Sequence, residues 1–107
     1  MDIQLADGEK ILKEGPANHF KGAESVGGQL CLTNLRLFFA SHSLNVQTHA
    51  ESYPLSDIVR VTPRNTLGII PNGISVFLKD SREEKFVIFG RDEWMRLINA
   101  AKSGPTA

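Results

Sequence analysis

The chain has 107 residues, with 12 basic and 12 acidic side chains and a formal net charge of zero. Its length and 41% hydrophobic content suit a single domain, residues 1–107, with an ordered core over roughly residues 9–102. A neutral chain is a poor general binder of nucleic acid, which requires a basic excess, although a local basic patch stays possible. No apolar run is long enough to span a membrane, the N-terminus lacks the apolar region of a signal peptide, and the lone Cys31 excludes an intrachain disulfide. These features predict a cytoplasmic protein.

The first third of the chain contains one irregular strand signal. Residues 1–8 are predicted to be a loose lead-in, and residues 10–18 to form the first strand. Pro16 cannot donate a hydrogen bond to a ladder, so this strand is predicted to be an edge strand or to carry a bulge at that point. The polar stretch 19–27 is predicted to be a loop.

A hairpin follows, with strands at residues 28–33 and 36–40 and a tight turn at residues 33–36. Asn34 tolerates the positive φ that tight hairpin turns require. Strand side chains alternate between two faces, so the apolar residues of both strands share one face. These residues are Leu30, Leu32, Leu37 and Phe39.

The middle of the chain is less regular. A long turn is predicted over residues 41–50, then strands at 51–55 and 58–63, with Val59 and Val61 on a common face. Residues 65–70 extend the second of these strands past an irregularity. Pro71-Asn72-Gly73 is a strong hairpin-turn signal and is predicted to end it.

Alternating apolar residues then predict strands at 74–79 and 85–89, with a charged turn at 80–84 between them. The period afterwards becomes helical, with Asp92 as the predicted N-cap and Gly104-Pro105 as the stop. The apolar stripe of this helix is Trp94, Leu97, Ile98 and Ala101. About seven short antiparallel strands followed by one amphipathic helix predict a mainly β fold, a barrel whose end is capped by the C-terminal helix.

The predicted core joins the apolar faces of the strands to the helix stripe. Its members are Leu30, Leu32, Leu37, Phe39, Val59, Val61, Ile74, Val76, Leu78, Phe86, Ile88, Leu97 and Ile98, and Trp94 is predicted to anchor the helix over the barrel end.

The hairpin also resembles the signature of GRAM domains, which are relatives of the pleckstrin-homology fold. The shared pattern is a glycine, Leu-x-Leu-Thr, two residues, and Arg-Leu-x-Phe. The resemblance continues through Ser41-His42, the segments 54–58, 65–68 and 71–73, and ends at Trp94. It implies a pleckstrin-homology-like barrel that is a binding module without chemistry of its own, similar to small stand-alone bacterial members.

No catalytic or metal-binding constellation is recognised. His19, His42 and His49 lack the paired spacing of zinc ligands, and Cys31 lies in the middle of a strand. No nucleophile is placed with a base and an orienting group, so the chain is predicted to be neither an enzyme nor a cofactor protein.

In a barrel of this kind, the loops after strands one, three and six form the open rim opposite the helix. These loops are predicted at residues 19–27, 41–45 and 80–84. Basic, titratable and apolar side chains on them predict contact with an anionic lipid surface and peripheral membrane association. The candidate contact residues are His19, Phe20, Lys21, His42, Leu44 and Arg82.

The alternative is a protein-interaction domain that binds a peptide along an exposed sheet edge. The first strand, interrupted at Pro16, and the polar segment 47–51 are the candidate edges.

Overall fold

A computed structural model describes residues 4–22, 24–41 and 50–103. Within these ranges, seven antiparallel strands form one curled sheet of order β4-β3-β2-β1-β7-β6-β5. The strands are β1 (Ile11–Lys21), β2 (Glu24–Thr33), β3 (Arg36–Ser41), β4 (Ala50–Pro54), β5 (Ile58–Thr66), β6 (Ile70–Leu78) and β7 (Glu83–Ile88). One turn of 3₁₀ helix (Leu55–Asp57) joins β4 to β5, and helix α1 (Arg91–Ser103) follows β7. The predicted mainly β fold of about seven antiparallel strands and one C-terminal helix is confirmed, and the sheet is curled into a half-barrel.

The core lies inside the curl of the sheet. Alternation along β2, β3, β6 and β7 places the predicted apolar residues inward, and eight of the largest fully buried side chains are Trp94, Phe39, Phe86, Leu30, Leu32, Leu37, Ile74 and Ile98. The sequence-based list omitted Ala17, Tyr53, Leu55 and Ile58, which are also buried.

Val59 is the error in the predicted core. Its side chain is 47% exposed, whereas Ile58 and Val61 are buried. The register of β5 against β6 shifts between Ile58 and Arg60. This irregularity inserts one residue and breaks strict alternation, so Val59 and Val61 do not share a face.

We expect Leu37→Ala to lower the free energy of unfolding by about 2–5 kcal/mol, as truncation of a buried leucine leaves a cavity. Leu37 is fully buried and lies in register with Leu32 on β2 and Tyr53 on β4. The measurement is a urea melt of each variant. Leu35→Ala, at the exposed β2–β3 turn, is the matched control, and an equal loss in both variants would contradict the assigned packing.

The β2–β3 turn holds the N-terminal segment, so residues 4–8 are not the loose lead-in that was predicted. Glu9 is buried and accepts hydrogen bonds from Thr33 Oγ1 at 2.6 Å and Arg36 Nε at 2.8 Å. Asn34 accepts one from the Lys10 N–H at 2.7 Å and donates one to the Gly8 carbonyl at 3.0 Å. Asn34 therefore holds residues 8–10 against the turn. A positive φ was predicted for Asn34, but its φ is not positive.

The first strand is longer than predicted and is not an edge. β1 pairs with β2 along its length and with β7 from Ala17 onward, so Pro16 lies just outside the β7 pairing. The irregularity in β1 falls between Ile11 and Lys13 instead of at Pro16. Residues 19–21 belong to β1, and residues 24–27 to β2, so the predicted loop over 19–27 is wrong.

The turn between β5 and β6, residues 67–69, lies four residues before the predicted one, residues 71–73. Leu67 and Gly68 occupy it, with φ of 54° and 72°. Pro71-Asn72-Gly73 instead lies inside β6. Gly73 is required there for close packing, because a Cβ would lie 2.9 Å from the Arg64 carbonyl oxygen and 3.1 Å from that of Phe86.

Helix α1 covers the inner face of the sheet through Trp94 and Ile98, which are buried. Leu97 and Ala101 are partly buried against the same core, as the predicted stripe implies. The helix begins at Arg91, one residue before the predicted cap, and Asp92 and Glu93 lie in its first turn. The predicted stop at Gly104-Pro105 and the predicted long turn over 42–49 lie outside the described residues.

Candidate functional site

The end of β1 and the beginning of β7 meet at the open end of the sheet. Phe20 lies in register with Lys85, so Lys21 and the β6–β7 turn approach the same end. The side chains that form ion pairs here come from β1, β4, β7 and that turn. We call them the open-end cluster: His19, Lys21, Glu51, Asp80, Arg82 and Glu84.

His19 is the buried centre of this cluster and does not lie on a loop, as was predicted. Its Nε2 lies 2.6 Å from Glu84 Oε1, and its Nδ1 lies 3.5 Å from Glu51 Oε2. The ring stacks on Phe86 with a centroid distance of 4.6 Å and meets Phe39 edge-on at 5.3 Å. The imidazole is fully buried and links β1 to β4 through Glu51 and to β7 through Glu84. It is therefore not accessible to a ligand at the surface.

The two predicted cations of the rim already have carboxylate partners. Lys21 Nζ lies 3.5 Å from Glu51 Oε2. Arg82 Nε lies 2.7 Å from Asp80 Oδ2, and its Nη1 lies 3.8 Å from Glu84 Oε2. Hydrogen bonds from the Arg82 backbone and guanidinium lower the pKa of Asp80. Three carboxylates therefore face two permanent cations, so these six groups offer no net positive field to an anion.

His19, Glu51 and Glu84 place three potential metal-ligand atoms within 4.8 Å of one another. Sequence spacing did not predict this juxtaposition, because the three residues come from three strands. The two carboxylates lie at different ring nitrogens, however, and the lone pairs of those nitrogens diverge. Glu84 therefore lies at one nitrogen of the ring and Glu51 at the other, and the imidazole links β7 to β4.

Tyr53 adds a buried phenol beside this cluster. Its Oη has no hydrogen-bond partner among the described residues. Burial, followed by the nearby carboxylates of Glu84 and Glu51, raises the pKa of the Tyr53 phenol. The phenol therefore stays protonated and neutral.

Phe20, the other described rim candidate, is half-buried beneath a cation from β5. The Arg64 guanidinium carbon lies 5.5 Å from the centroid of its ring. Its neighbour Lys21 is exposed. The remaining candidates, His42 and Leu44, lie outside the described residues.

Cys31 was predicted to be an unreactive strand residue, and its surroundings fit that role. The thiol is fully buried, and burial, then the charge of Glu14, raises its pKa. A thiolate is the reactive form of cysteine, so both effects oppose nucleophilic chemistry.

The two edges of the sheet are β4 and β5. The segment 50–51 of the predicted edge 47–51 belongs to β4, whereas the strand containing Pro16 is internal. On β5, Lys102 Nζ donates to the Val59 carbonyl at 2.7 Å, and Pro63 has no N–H to offer. Both features limit the addition of another strand along β5.

An apolar surface that sequence reasoning missed lies at the other end of β6 and β7. Leu67 is 87% exposed, and Ile69 and Phe89 are each 80% exposed. Phe89 directly follows β7 and lines a groove together with Asn72 of β6. It therefore lies beside the first residues of β6, which follow the β5–β6 turn. The only sequence signal was the run Leu67-Gly68-Ile69-Ile70, which was interpreted as part of a strand.

Comparison with solved structures defines the class of protein. A C-terminal domain of an unknown protein from Leishmania infantum superposes with a TM-score of 0.76 at 18% identity, covering 91% of this chain and 87% of that one. The Vps36 N-terminal PH domain gives a TM-score of 0.75 at 15% identity, covering 94% and 83%. The DH/PH domains of p115-RhoGEF give 0.71 at 14%, covering 92% of this chain and 32% of that one. These similarities show a pleckstrin-homology-like fold.

The family follows from a sequence comparison. The family model of the GRAM domain matches residues 1–99, so the chain belongs to the GRAM domain family. No curated protein sequence is significantly similar to it. In the described part of the chain, no helix is long and apolar enough to cross a bilayer.

Proposed function

We propose that this GRAM domain is a non-catalytic binding module that associates with the surface of anionic membranes. GRAM and pleckstrin-homology-like folds are typically lipid- or protein-binding modules. The observation that supports a membrane is the set of large apolar side chains, Leu67, Ile69 and Phe89, that are at least 80% exposed. Apolar residues beside basic ones are the combination that binds the membrane interface.

A non-catalytic role agrees with the state of the two groups best suited to chemistry. Cys31 is buried with a raised pKa, and His19 is buried between Glu51 and Glu84. Neither group is placed to meet a substrate from solvent.

The rim predicted from the sequence is one proposed contact. Lys21 and Arg82 are half-exposed at the same end of the sheet, and lipid phosphates would have to compete with Glu51 and Asp80 for them. Phe20, His42 and Leu44 complete this proposal, whereas His19 is buried and is not part of the contact.

Sedimentation with vesicles tests the function. We expect the protein to bind phosphatidylcholine vesicles that contain about one third phosphatidylserine, and to bind pure phosphatidylcholine much more weakly. Raising NaCl from about 0.1 M to about 0.5 M should weaken binding, because salt screens exposed charges. If the protein bound neither vesicle, the proposal would be contradicted. That result would favour the second candidate function, a module that binds a peptide at the β4 edge. The strand Ala50–Pro54 lacks an outer neighbour among the described strands.

A further inference from the structure

The turn between β5 and β6 carries apolar side chains that the fold does not use. We call residues Leu67, Gly68, Ile69 and Ile70 the β5–β6 finger. Leu67 and Ile69 are 87% and 80% exposed, and Phe89 nearby is 80% exposed. Single exposed apolar residues are common, but a group at one end of a small domain usually marks a contact surface.

The backbone of the finger strengthens this interpretation. Leu67 and Gly68 both have positive φ, at 54° and 72°. Leu67 and Gly68 are the central residues of the β-turn that the Ile69 N–H closes onto the Thr66 carbonyl. Positive φ at both central positions favours Asn-Gly, since asparagine and glycine adopt such angles with little strain. Leucine is strained there and also exposes its side chain to water. Leu67 therefore costs stability twice, which points to a role outside the folded core.

The charges next to the finger are unlike those of the open-end cluster. Arg91 Nη1 donates to the Arg64 carbonyl and to Asn65 Oδ1, both at 3.0 Å, and these acceptors are neutral. Arg64 lies over the Phe20 ring. Among the described residues, neither arginine forms an ion pair with a carboxylate. The Arg64 guanidinium lies over Phe20, toward the open end, so Arg91 is the cation that stays available to an anionic partner at the finger end.

We propose that the β5–β6 finger and Phe89 insert into the interface of an anionic membrane, with Arg91 facing the lipid headgroups. This inference rests on the proposed function and names the face that carries it. The occupant follows from the combination of features, since apolar side chains gain by leaving water while arginine guanidinium groups stay at the headgroup level. Anionic lipids complement the guanidinium of Arg91, which forms no ion pair among the described residues.

The finger and the rim cannot both lie on one flat membrane. The finger precedes Ile70 at the start of β6, whereas the turn with Arg82 follows Leu78 at its end. Nine residues of strand separate these ends, a length of roughly 26 Å. The two contacts therefore predict opposite orientations of the domain and can be distinguished with point variants.

The experiment compares three double variants of the full chain with the wild type, by sedimentation with phosphatidylcholine vesicles containing about one third phosphatidylserine. Leu67→Ser with Ile69→Ser should weaken binding at least about tenfold, because two side chains lose their burial in the interface. The matched control, Leu12→Ser with Leu35→Ser, removes two other exposed leucines and should bind like the wild type. Lys21→Glu with Arg82→Glu reverses the rim and should also keep binding.

A fourth variant separates function from folding. Leu67→Asn should raise the melting temperature, since asparagine suits the positive φ, and should nevertheless reduce vesicle binding. Weakened binding in a more stable protein cannot be attributed to misfolding.

Two outcomes would overturn the inference while leaving the proposed function in place. In the first outcome, the finger variants bind vesicles like the wild type and the Lys21→Glu, Arg82→Glu variant does not bind, which would assign the contact to the rim. The other is a concentration-dependent dimer in light scattering that the finger variants abolish, which would assign the finger to a second copy of the chain. A wild type that binds no vesicle would overturn the proposed function itself.

Discussion

Replacing Trp94 with alanine should lower the free energy of unfolding by about 3–5 kcal/mol, near the upper end for a single truncation. The indole is 1% exposed and is the largest fully buried side chain. It connects α1 to the first strand, since a Cβ on Gly15 would lie 3.7 Å from Trp94 Cζ2 and Lys13 Nζ lies 5.3 Å from the ring centroid. Without it, the helix loses its main contact with that strand. A urea melt of the variant measures the loss.

The wild type supplies an independent readout, because Trp94 is the only tryptophan in the chain. The fluorescence maximum of the native protein should lie at a shorter wavelength than that of the unfolded protein, as expected for a buried indole. Arg96→Ala, on the exposed side of the same helix, is the control and should change stability by about 0.5 kcal/mol or less. Emission like that of free indole in the native state would contradict the docking of α1.

Stability should fall steeply in acid because of Glu9. Hydrogen bonds from Arg36 and Thr33 lower its pKa from 4.5 to about 2. The folded state therefore holds the ionised carboxylate more strongly than the unfolded state does. The resulting stabilisation is fully present above pH 4.5 and is lost as the pH falls from 4.5 to about 2. A shift of this size corresponds to about 3 kcal/mol.

The measurement is a series of urea melts between neutral pH and about pH 2. Glu9→Gln should lose about 3 kcal/mol at neutral pH and should show a flatter pH dependence than the wild type. Glu24→Gln, at an exposed position of β2, controls for removal of one carboxylate. If Glu9→Gln followed the same pH profile as the wild type, another group would have to cause the acid sensitivity.

Much of the fold could be predicted because alternation along a strand is a local property. Leu30 and Leu32, and likewise Ile74 and Val76, were assigned to the core from spacing alone and are fully buried. The errors come from interactions between strands. Val59 was misplaced by an irregularity in the pairing of β5 with β6, which spacing within β5 does not reveal.

The turn of the β5–β6 finger shows the same limit more sharply. Proline, asparagine and glycine in succession indicate a turn, yet Gly73 is needed because two neighbouring strands pass close to its Cα. The real turn has leucine at positive φ, a residue that local propensity argues against. Local conformational propensity is expected to fail at positions such as Leu67, if the residue there is kept for a role other than folding.

His19, Lys21 and Arg82 were assigned to one rim from the sequence, but the carboxylates that pair with them in the open-end cluster were not predicted. His19 was assigned to a loop because polar residues follow it, but its partners Glu51 and Glu84 are 32 and 65 residues away in sequence. The pairing of β1 with β7 brings Glu84 beside it, and this is a long-range event. The candidate contact residues were chosen from the sequence because they were expected to be exposed, yet one of them, His19, is buried.

If the domain gathers on a membrane as proposed, the obstructed edge of β5 has a further consequence. Confinement to two dimensions raises local concentration, and free strand edges at high concentration promote sheet-to-sheet association. On β5, the Val59 carbonyl is occupied by Lys102, and Pro63 cannot donate. β4 is short and ends at Pro54. Copies concentrated on a bilayer would therefore not pair readily through β5, which leaves the β4 edge as the place where such pairing would begin.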